Sequence, residues 1–452
     1  MVSRIAWFRA PLRLLAGWPG RMTHCVDRRI DNRWMKSWVE ISERRLVENL
    51  RAVQALAGGE DGVGLPGGAE LLGVVKADAY GHDAVRVARI LAKAGLGWLG
   101  VADVEEGARV RRVVQGLAAA ERSRADATAE PGAYRQRMRV LVMSGLEADD
   151  CEQVLEQVLE QDLTPVIWTV EHVERLERAA AKAGKAVQAH LEIDSGMCRQ
   201  GVDLAGVGEV ARRLAGSRWV RCEGVMSHLA AAEVTGSEQT RRQQARFDRA
   251  VQVAVAEGIR PAWLHLAASS AVDEGGTLAW MRELARSQGA RALVRAGIAL
   301  YGYCVPAAGG VLRPRLQPVL TWKTRVIGVR EIEAGESVGY GGTFTAASRM
   351  RLALLPVGYS DGLRRAASSG VGNGWVMIAG RRAVVVGRVS MNLTTVDITQ
   401  IEGVEVGSEV VLLGEGVTAD DHAAWSGTIS YEILCGIRAR RLEAGTSPEV
   451  AE

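Results

Sequence analysis

Cysteine is scarce in this sequence of 452 residues, and its six cysteines form neither a CxxC pair nor a metal-ligand spacing. Their scattered positions (25, 151, 198, 222, 304 and 435) indicate reduced thiols in the cytoplasm and argue against a disulfide framework or a metal site. No uninterrupted apolar segment is long enough to span a bilayer. The net charge is only +3, so the sequence gives no reason to expect nucleic acid or a membrane as a partner.

The composition and length instead predict a globular protein of two domains. Hydrophobic residues make up 48% of the chain and charged residues 24%, and the chain is longer than one ordinary domain. Residues 1–36 are strongly basic and are followed by no clear cleavage site of a targeting sequence. We interpret them as a disordered extension, or as residues upstream of a true start at Met22 or Met35.

Apolar, strand-like runs alternate with amphipathic helical patterns between about residues 70 and 300. Continuous apolar strands separated by helices indicate parallel pairing with both faces of the sheet covered. Eight such units are typical of a (β/α)₈ TIM-type barrel, an α/β fold, which we predict over residues 37–310. The eight strands are predicted at 72–75, 98–102, 140–143, 165–168, 190–193, 224–226, 263–266 and 293–298.

The residue pattern of the sequence changes after residue 310. Apolar runs with few helical periods predict a mostly β C-terminal domain over 311–452, a common domain size. Two stretches inside the barrel region, 57–70 and 118–137, are rich in Gly, Ala, Arg and Asp and read as surface insertions.

Polar side chains stand at the ends of the predicted barrel strands, where the functional groups of such barrels gather. One lysine near a strand end is usually a surface group, but several polar residues from different strands favour a barrel enzyme. The presence of these polar residues at several strand ends does not by itself identify the reaction. The residues are Lys76, Glu192, Arg199, His228, Ser269 and Arg295.

Lys76 ends an apolar run and is followed within five residues by Tyr80 and a glycine. Keeping a lysine charged at the partly apolar open end of a barrel costs free energy, so the pKa of the lysine tends downward. Its neutral amine can then act as a nucleophile. That property suits a lysine that carries pyridoxal 5'-phosphate (PLP). Main-chain N–H groups and hydroxyls would be needed for the phosphate; the candidates are Tyr80, Ser269, Gly297, Ile298 and Tyr431.

The segment Val-Val-Lys-Ala-Asp-Ala-Tyr-Gly-His at 74–82 resembles the PLP-lysine motif of alanine racemases. Further segments resemble that family in the same order, so the resemblance covers roughly 37–442 and is specific as an ordered set. They lie at 38–41, 193–201, 227–230, 265–270, 294–302, 338–344, 357–362, 387–391 and 429–434.

The resemblance implies a role for each matching position. Lys76 would carry the cofactor and serve as one of two bases, and Tyr340 would be the other base, reaching the site from the partner subunit of a homodimer with shared active sites. Arg295 would face the pyridine nitrogen, with His228 beside the ring. Arg199 and the backbone at Met391 would orient the carboxylate of alanine. The phosphate would be held by Tyr80, Ser269, Gly297, Ile298 and Tyr431.

The implied arrangement agrees with the chemistry of racemisation. A lysine on one side of the substrate and a tyrosine on the other supply the two bases that proton removal and delivery on opposite faces require. An arginine opposite the ring nitrogen stays charged and discourages protonation of the ring, which limits side reactions.

The sequence departs from the family pattern at a few positions. Glu192 stands where most members carry a lysine, and we interpret it as a substitute partner for Arg199. Asn392 and Ala268 stand where aspartate and asparagine are usual, and Leu363-Arg364 replaces the usual Tyr-Pro. These changes bear on substrate preference.

The leading interpretation is a PLP-dependent alanine racemase that supplies D-alanine for peptidoglycan. A broad-specificity or serine racemase of the same fold is the close alternative. A decarboxylase of the barrel-plus-β class would need a C-D-x-x-D-type segment, which the sequence lacks. A non-catalytic PLP-binding protein would typically be a barrel alone, and the β domain with Tyr340 argues against it.

Overall fold

A computed structural model describes residues 35–58, 68–124, 138–146, 152–305 and 310–442, with backbone alone for 118–124. Most of the predicted N-terminal extension, residues 1–34, lies outside the described residues. The same holds for residues 59–67 and 125–137 of the two predicted insertions.

The predicted barrel is confirmed. Eight parallel strands close into a barrel in which each strand pairs with the next and the last pairs with the first. Both ends of most predicted strands agree with the structure to within a few residues. The strands are β2 (Glu70–Val74), β3 (Trp98–Val101), β4 (Arg139–Val142), β5 (Thr164–Ile167), β6 (Val187–Glu192), β7 (Val220–Met226), β8 (Trp263–His265) and β9 (Arg291–Ala296).

Helices follow the barrel strands and bury one apolar stripe each. The helix Val170–Ala183 begins after Thr169, whose side chain accepts a hydrogen bond from the main-chain N–H of His172, and ends at the left-handed Gly184. The other helices in this region are Glu43–Gly58, Ala84–Lys93, Val104–Arg124, Glu152–Glu160, Val207–Ala215, Glu238–Ala256, Ser269–Glu274 and Gly276–Ser287.

The C-terminal region is mostly β, as predicted. Its strands are β10 (Leu320–Arg325), β11 (Gly328–Ile332), β12 (Ser337–Val338), β13 (Phe344–Thr345), β14 (Met350–Leu355), β15 (Trp375–Ile378), β16 (Arg381–Val384), β17 (Thr394–Asp397), β18 (Glu409–Leu413) and β19 (Arg440–Arg441). Two short helices, Ala419–Ser426 and Ser430–Cys435, precede β19. Strands β10 and β11 follow each other closely in sequence but belong to different sheets.

The first described strand, β1 (Ser37–Ile41), corrects the predicted limits of the barrel region. It pairs antiparallel with β10 and parallel with β19, in a six-stranded sheet of order β16-β15-β18-β10-β1-β19. The described part of the chain therefore contributes a strand to the β-domain sheet before it builds the barrel. An apolar strand does not by itself show which sheet it joins, because only the pairing partner decides that.

One continuous hydrophobic core runs through barrel and β domain. Trp38 of β1 and Trp322 of β10 are fully buried within the β-domain side, and Trp98 and Trp263 are buried in the barrel. No helix among the described residues combines the length and the apolar character needed to cross a membrane.

Candidate active site

Lys76 follows β2 at the carboxyl end of the barrel and opens a segment of unusual backbone. Ala77, Asp78, Ala79 and Tyr80 all have φ values of 53–54°, which makes Lys76–Gly81 a left-handed turn. L-residues pay roughly 1–2 kcal/mol each for this conformation. The turn places the hydroxyl of Tyr80 against the backbone of Gly297, at the end of β9.

Contacts from three elements hold this strained turn. Glu106 accepts a hydrogen bond from the main-chain N–H of Asp78 at 3.2 Å, and Asp78 Oδ1 accepts one from Ala84 N at 2.9 Å. From the β domain, Arg441 donates two hydrogen bonds to the carbonyl of Gly81. The geometry of the turn is therefore fixed by tertiary contacts and not by the preferences of its own residues.

The amine of Lys76 lies in a positive environment. Its side chain is open to the mouth of the barrel, yet neighbouring protein lowers its pKa, first by partial desolvation and then by the charges of Arg199 and Arg295. Glu106 and Cys435 oppose this shift. A lowered pKa enlarges the neutral, nucleophilic fraction of the amine, as the sequence predicted for a cofactor-carrying lysine.

The predicted phosphate-binding residues come together beside Lys76. Ser269 Oγ accepts hydrogen bonds from the main-chain N–H groups of Gly297 at 3.2 Å and Ala299 at 3.4 Å. A Cβ atom on Gly297 would lie 2.6 Å from the hydroxyl oxygen of Tyr80, so the backbone approach here requires glycine. The Tyr80 and Tyr431 ring centroids are 6.0 Å apart.

These groups match the chemistry of a phosphate. Burial raises the pKa of Tyr431 to about 12 and raises that of Tyr80 further, so both hydroxyls stay protonated and can donate. Ile298 begins the turn that presents the Gly297 and Ala299 amides. The Gly297 and Ala299 amides donate to Ser269 Oγ, which leaves the hydroxyl hydrogens of Ser269, Tyr80 and Tyr431 as donors, and this set fits the phosphate of PLP.

Arg295 lies inside the barrel and is held by hydrogen bonds on both of its terminal nitrogens. Nη2 donates to His228 Nδ1 at 2.9 Å and to the Ser227 carbonyl at 2.7 Å, while Nη1 donates to His265 Nδ1 at 3.0 Å. Burial lowers the pKa of Arg295 to about 10, which still leaves it charged near neutral pH. The guanidinium is thus a fixed cation at the floor of the site.

Because arginine only donates, it fixes the tautomers of the histidines around it. His228 and His265 must accept at Nδ1, which places the proton of each neutral ring on Nε2. Burial and the Arg295 charge lower the pKa of His228 to about 3 and that of His265 well below its usual range. His265 Nε2 then donates to His190 Nδ1, 2.8 Å away.

The structure changes the predicted contact of Glu192. Its carboxylate is buried and accepts a hydrogen bond from Gln200 Nε2, which also donates to the Met143 carbonyl at 2.8 Å. Arg199 is exposed at the mouth and is not within ion-pair distance of Glu192 in the described part of the chain. The sequence pattern could not show that the next residue, Gln200, would turn inward instead. Burial raises the pKa of Glu192, while Gln200, Arg295 and Arg199 oppose the rise.

Tyr340 and Met391 lie apart from this cluster, on the surface of the β domain. Tyr340 is 71% exposed in the loop between β12 and β13, and Met391 is 56% exposed in the loop before β17. Tyr340 makes no side-chain hydrogen bond to any described residue, and the main-chain N–H of Met391 makes none either. A single chain therefore gathers every predicted site residue except these two.

Sequence reasoning missed three residues that the structure places at the site. His265 contacts Arg295 directly, Gln200 contacts Glu192, and Cys435 lies near enough to Lys76 for each to affect the other's pKa. His265 carried a usable signal, since it ends β8 as the other polar residues end their strands. Nothing in the sequence indicated that Gln200 or Cys435 would lie at the site.

Two family models match the chain. The description "Alanine racemase, N-terminal domain" fits residues 41–305 and "Alanine racemase, C-terminal domain" fits residues 319–443. Alanine racemase of Symbiobacterium thermophilum is 37% identical over 409 residues, covering 89% of this chain and 95% of that protein. Alanine racemase of Syntrophobacter fumaroxidans is 34% identical and covers 90% and 97%.

Solved structures show the same likeness. The alanine racemase of Streptomyces coelicolor superposes with a TM-score of 0.75 at 30% identity, covering 92% of this chain and 99% of that one. The enzyme of a D-cycloserine-producing Streptomyces lavendulae gives a TM-score of 0.75 at 29% identity, with 91% and 97% covered.

Proposed function

The chain belongs to the alanine racemase family, a PLP-dependent family, and we propose that it interconverts L-alanine and D-alanine. One observation carries this proposal: Lys76, with its lowered pKa, shares the barrel mouth with the anion site around Ser269 and with the buried cation Arg295. These are an amine, a phosphate site and a ring-nitrogen partner, the three groups by which a protein can hold PLP.

The protein's own residues would hold the cofactor at three points. Lys76 would bind its carbonyl carbon, Arg295 would face its ring nitrogen, and the hydroxyls and amides of Tyr80, Ser269, Gly297, Ile298 and Tyr431 would take the phosphate. When bound, PLP withdraws electrons from the substrate and makes its Cα proton acidic. Arg295 keeps that withdrawal moderate because its own proton stays on the guanidinium.

Two bases on opposite sides of the substrate would then move the proton. Lys76 serves one face with an amine whose pKa is already lowered. Tyr340 serves the other face from a partner subunit, which its 71% exposure and its lack of a side-chain hydrogen bond to any described residue support. Removal on one face and delivery on the other inverts the stereocentre.

The substrate carboxylate would lie between Arg199 and the main-chain N–H of Met391. Arg199 is exposed at the mouth, and its charge reaches Lys76 and His228. The Met391 carbonyl is occupied by Ser360, whose N–H and hydroxyl donate to it at 3.0 and 2.8 Å. These bonds fix the loop and leave the Met391 N–H available to a carboxylate.

The reaction would supply D-alanine for peptidoglycan in the cytoplasm. The described cysteines are free, and two of them, Cys198 and Cys435, are exposed. Exposed thiols of this kind persist in a reducing compartment.

A racemisation assay tests the proposal. The purified protein with PLP is given L-alanine, L-serine and L-lysine separately, and D-enantiomer formation is followed by chiral chromatography. We expect alanine to react fastest. Comparable rates with serine would favour the broad-specificity alternative, and no racemisation of any of the three would contradict the proposal.

A second experiment tests the place of the cofactor independently of turnover. Borohydride reduction of the yellow holoenzyme should attach the cofactor permanently to the peptide that contains Lys76, as peptide mass spectrometry would show. Attachment to another lysine would overturn the assignment of Lys76.

A further inference from the structure

Glu106 is a buried carboxylate beside the turn that carries Lys76. It lies in the first turn of the helix Val104–Arg124, and only 8% of the residue is exposed. Asp103 Oδ1 accepts a hydrogen bond from the main-chain N–H of Glu106 at 2.8 Å, which fixes where the glutamate side chain starts. Burying a carboxylate is costly unless it has partners, so the partners of Glu106 indicate what this residue does.

Both oxygens of Glu106 accept hydrogen bonds from main-chain amides. Oε2 accepts from Ala102 at 3.0 Å, directly after β3, and Oε1 accepts from Asp78 at 3.2 Å, inside the left-handed turn. No basic side chain among the described residues forms an ion pair with Glu106. One carboxylate thus ties the turn after Lys76 to the end of the neighbouring barrel strand.

Arg441 of β19 holds the same turn from the β domain. Its Nε and Nη2 donate to the Gly81 carbonyl at 3.1 and 2.9 Å. A Cβ atom on Gly81 would lie 2.5 Å from the carbonyl oxygen of Leu434, so the turn packs directly against the β-domain backbone. Tyr80 therefore lies in a segment that is held at Asp78 on one side and at Gly81 on the other.

The turn needs these contacts because its backbone is unfavourable. Residues 77–80 all have φ values of 53–54°, a conformation that costs L-residues roughly 1–2 kcal/mol each. Such a segment keeps its shape only where the surrounding structure imposes it. Removal of a contact would let the turn relax and would move Lys76 and Tyr80 together.

The two contacts differ in their effect on the charge of the lysine. The charged and titratable groups around the Lys76 amine are Arg199, Arg295, Glu106, Cys435 and His228. Partial desolvation and the two arginines lower the pKa of Lys76, whereas Glu106 and Cys435 raise it. Arg441 is not among the groups that shift this pKa. Glu106 therefore acts on both the position and the charge of the amine, and Arg441 acts on position alone.

We propose that Glu106 is a positioning residue for Lys76, which ties the left-handed turn to the end of β3 and so places the lysine amine and the Tyr80 hydroxyl for the cofactor. Glu106 acts through these two residues and through the charge of its carboxylate. The inference rests on the proposed role of Lys76 as the residue that carries PLP, and it adds a residue that sequence reasoning did not select.

Titration of the cofactor-free, full-length protein with PLP tests the positioning. Glu106→Gln keeps the shape of the side chain, but its amide oxygen can accept only one of the two hydrogen bonds in the same geometry. The affinity for PLP should fall by about tenfold. Glu105→Gln is the matched control, an exposed carboxylate on the same helix, and should bind PLP as the unchanged protein does. Normal PLP affinity in Glu106→Gln would overturn the inference.

The pH dependence of the amine separates Glu106 from a merely structural residue. The probe is pyridoxal, which lacks the phosphate, and cyanoborohydride fixes it on the cofactor-free protein; peptide mass spectrometry gives the rate at Lys76. Only the neutral amine reacts. Without the Glu106 charge the ammonium form is less favoured, so the midpoint of the rate profile should move to lower pH. Below the midpoint, the rate relative to its plateau should rise by about threefold.

Arg441→Met is the comparison for this profile. It removes two hydrogen bonds to the turn, so the affinity for PLP should fall by about tenfold, while the midpoint for pyridoxal should stay where it is. An unshifted midpoint in Glu106→Gln would give both variants the same behaviour and would overturn the role of the Glu106 charge.

Glu106→Asp keeps the inference testable if Glu106→Gln does not fold. The shorter side chain retains the charge but cannot reach both amides, so PLP affinity should fall by about tenfold with little change in the midpoint. Normal PLP affinity in Glu106→Asp would overturn the positioning role. None of these measurements requires turnover, so these shifts in a protein that racemises no amino acid would contradict the proposed function and support the role of Glu106.

Discussion

At the scale of single residues, the reactivity of Lys76 depends on neighbours that lie far away in sequence. Partial desolvation and the charges of Arg199 and Arg295 lower its pKa, while Glu106 and Cys435 oppose the shift. Arg295 is fixed in turn by His228 and by two residues at the ends of β7 and β8. The chemistry of the lysine is thus set by residues that contact the cofactor site from several strands.

Glu192 influences Arg295 and Arg199 through the charge of its carboxylate, since its hydrogen-bond partner is Gln200. Glu192→Gln removes a carboxylate that attracts Arg295 and Arg199 without contacting either, an effect of about 1 kcal/mol. We expect the KM for alanine to rise about fivefold while kcat changes less. Steady-state kinetics measure both.

The control for this prediction is Glu209→Gln, an equivalent change on an exposed helix face. Most members of the family carry at this position a lysine that is often carbamylated, and carbamylation requires carbon dioxide. Because Glu192 already has a carboxylate, the activity of the unchanged protein should not depend on bicarbonate. An unchanged KM for alanine in Glu192→Gln would show that the charge of Glu192 does not affect substrate binding.

The pKa of the buried His190 side chain determines how this residue contributes to the pH dependence of folding stability. Burial holds its pKa at about 3 in the folded protein, below the value of about 6.5 of a histidine in the unfolded chain. Between these values the unfolded chain binds a proton that the folded protein does not. The contribution of His190 to stability is therefore complete above about pH 6.5 and is lost as the pH falls towards 3.

Unfolding measured in urea at pH 7 and pH 5 tests this effect. The free energy of unfolding of the unchanged protein should fall by about 2 kcal/mol more over this interval than that of His190→Gln. The comparison is between pH dependences, so the general cost of altering a core residue cancels. Equal dependences would show that His190 is already protonated or exposed.

At the scale of elements, the left-handed turn Lys76–Gly81 and the loop after β9 are shaped to fit each other. The turn does not follow the ordinary preferences of its residues, since four consecutive non-glycine residues in it have positive φ values. The turn presents the Tyr80 hydroxyl against Gly297, which has room only for a hydrogen. The two elements together would make the proposed phosphate site.

Gly297→Ala tests this fit. A Cβ atom would lie 2.6 Å from the Tyr80 hydroxyl oxygen and would push one of the two elements away. Overpacking of this kind costs about 1–3 kcal/mol, so affinity for PLP should fall by about tenfold or more. The measurement is a titration of the cofactor-free protein with PLP.

Gly208→Ala is the control, because the nearest atoms to its added Cβ are 3.7 Å away and its helix tolerates alanine. This variant should bind PLP normally. If Gly297→Ala did so too, the loop after β9 would not be part of the phosphate site.

At the scale of the whole molecule, a single chain holds only part of the proposed site. Tyr340 and Met391 are exposed on the β domain, apart from the Lys76 cluster. Two-fold symmetry would complete two sites at once, each with the lysine of one chain and the tyrosine of the other.

Mixed dimers test the shared site. Lys76→Ala and Tyr340→Phe should each be nearly inactive, since each lacks one base at both sites. A dimer of one chain of each kind has one site with both bases and one with neither. If chains assort at random, about half the dimers are mixed, and about a quarter of the normal number of sites should be active.

The measurement is racemase activity after the two variants are unfolded and refolded together, compared with each refolded alone. Dimers that form without any gain in activity would contradict the shared site. Gain in activity without dimers, judged by size-exclusion chromatography, would contradict it equally.

The local pattern of the sequence determined the eight barrel strands, the change to a β-rich region, and the strand-end positions of Lys76, His228 and Arg295. Apolar runs and helical periods depend on near neighbours, and they report burial and strand or helix type directly. The resemblance of the ordered motifs to those of alanine racemases led to the proposed cofactor and to the proposed roles of individual residues.

Only the tertiary structure decided which partners these residues have. It placed β1 in the β-domain sheet, paired Glu192 with Gln200 in place of Arg199, and set His265 against Arg295. It also held the turn after Lys76 in a left-handed form that its residues disfavour alone. Sheet partners, inward-facing side chains and strained backbone all depend on contacts between distant segments, and a local pattern carries no record of those contacts.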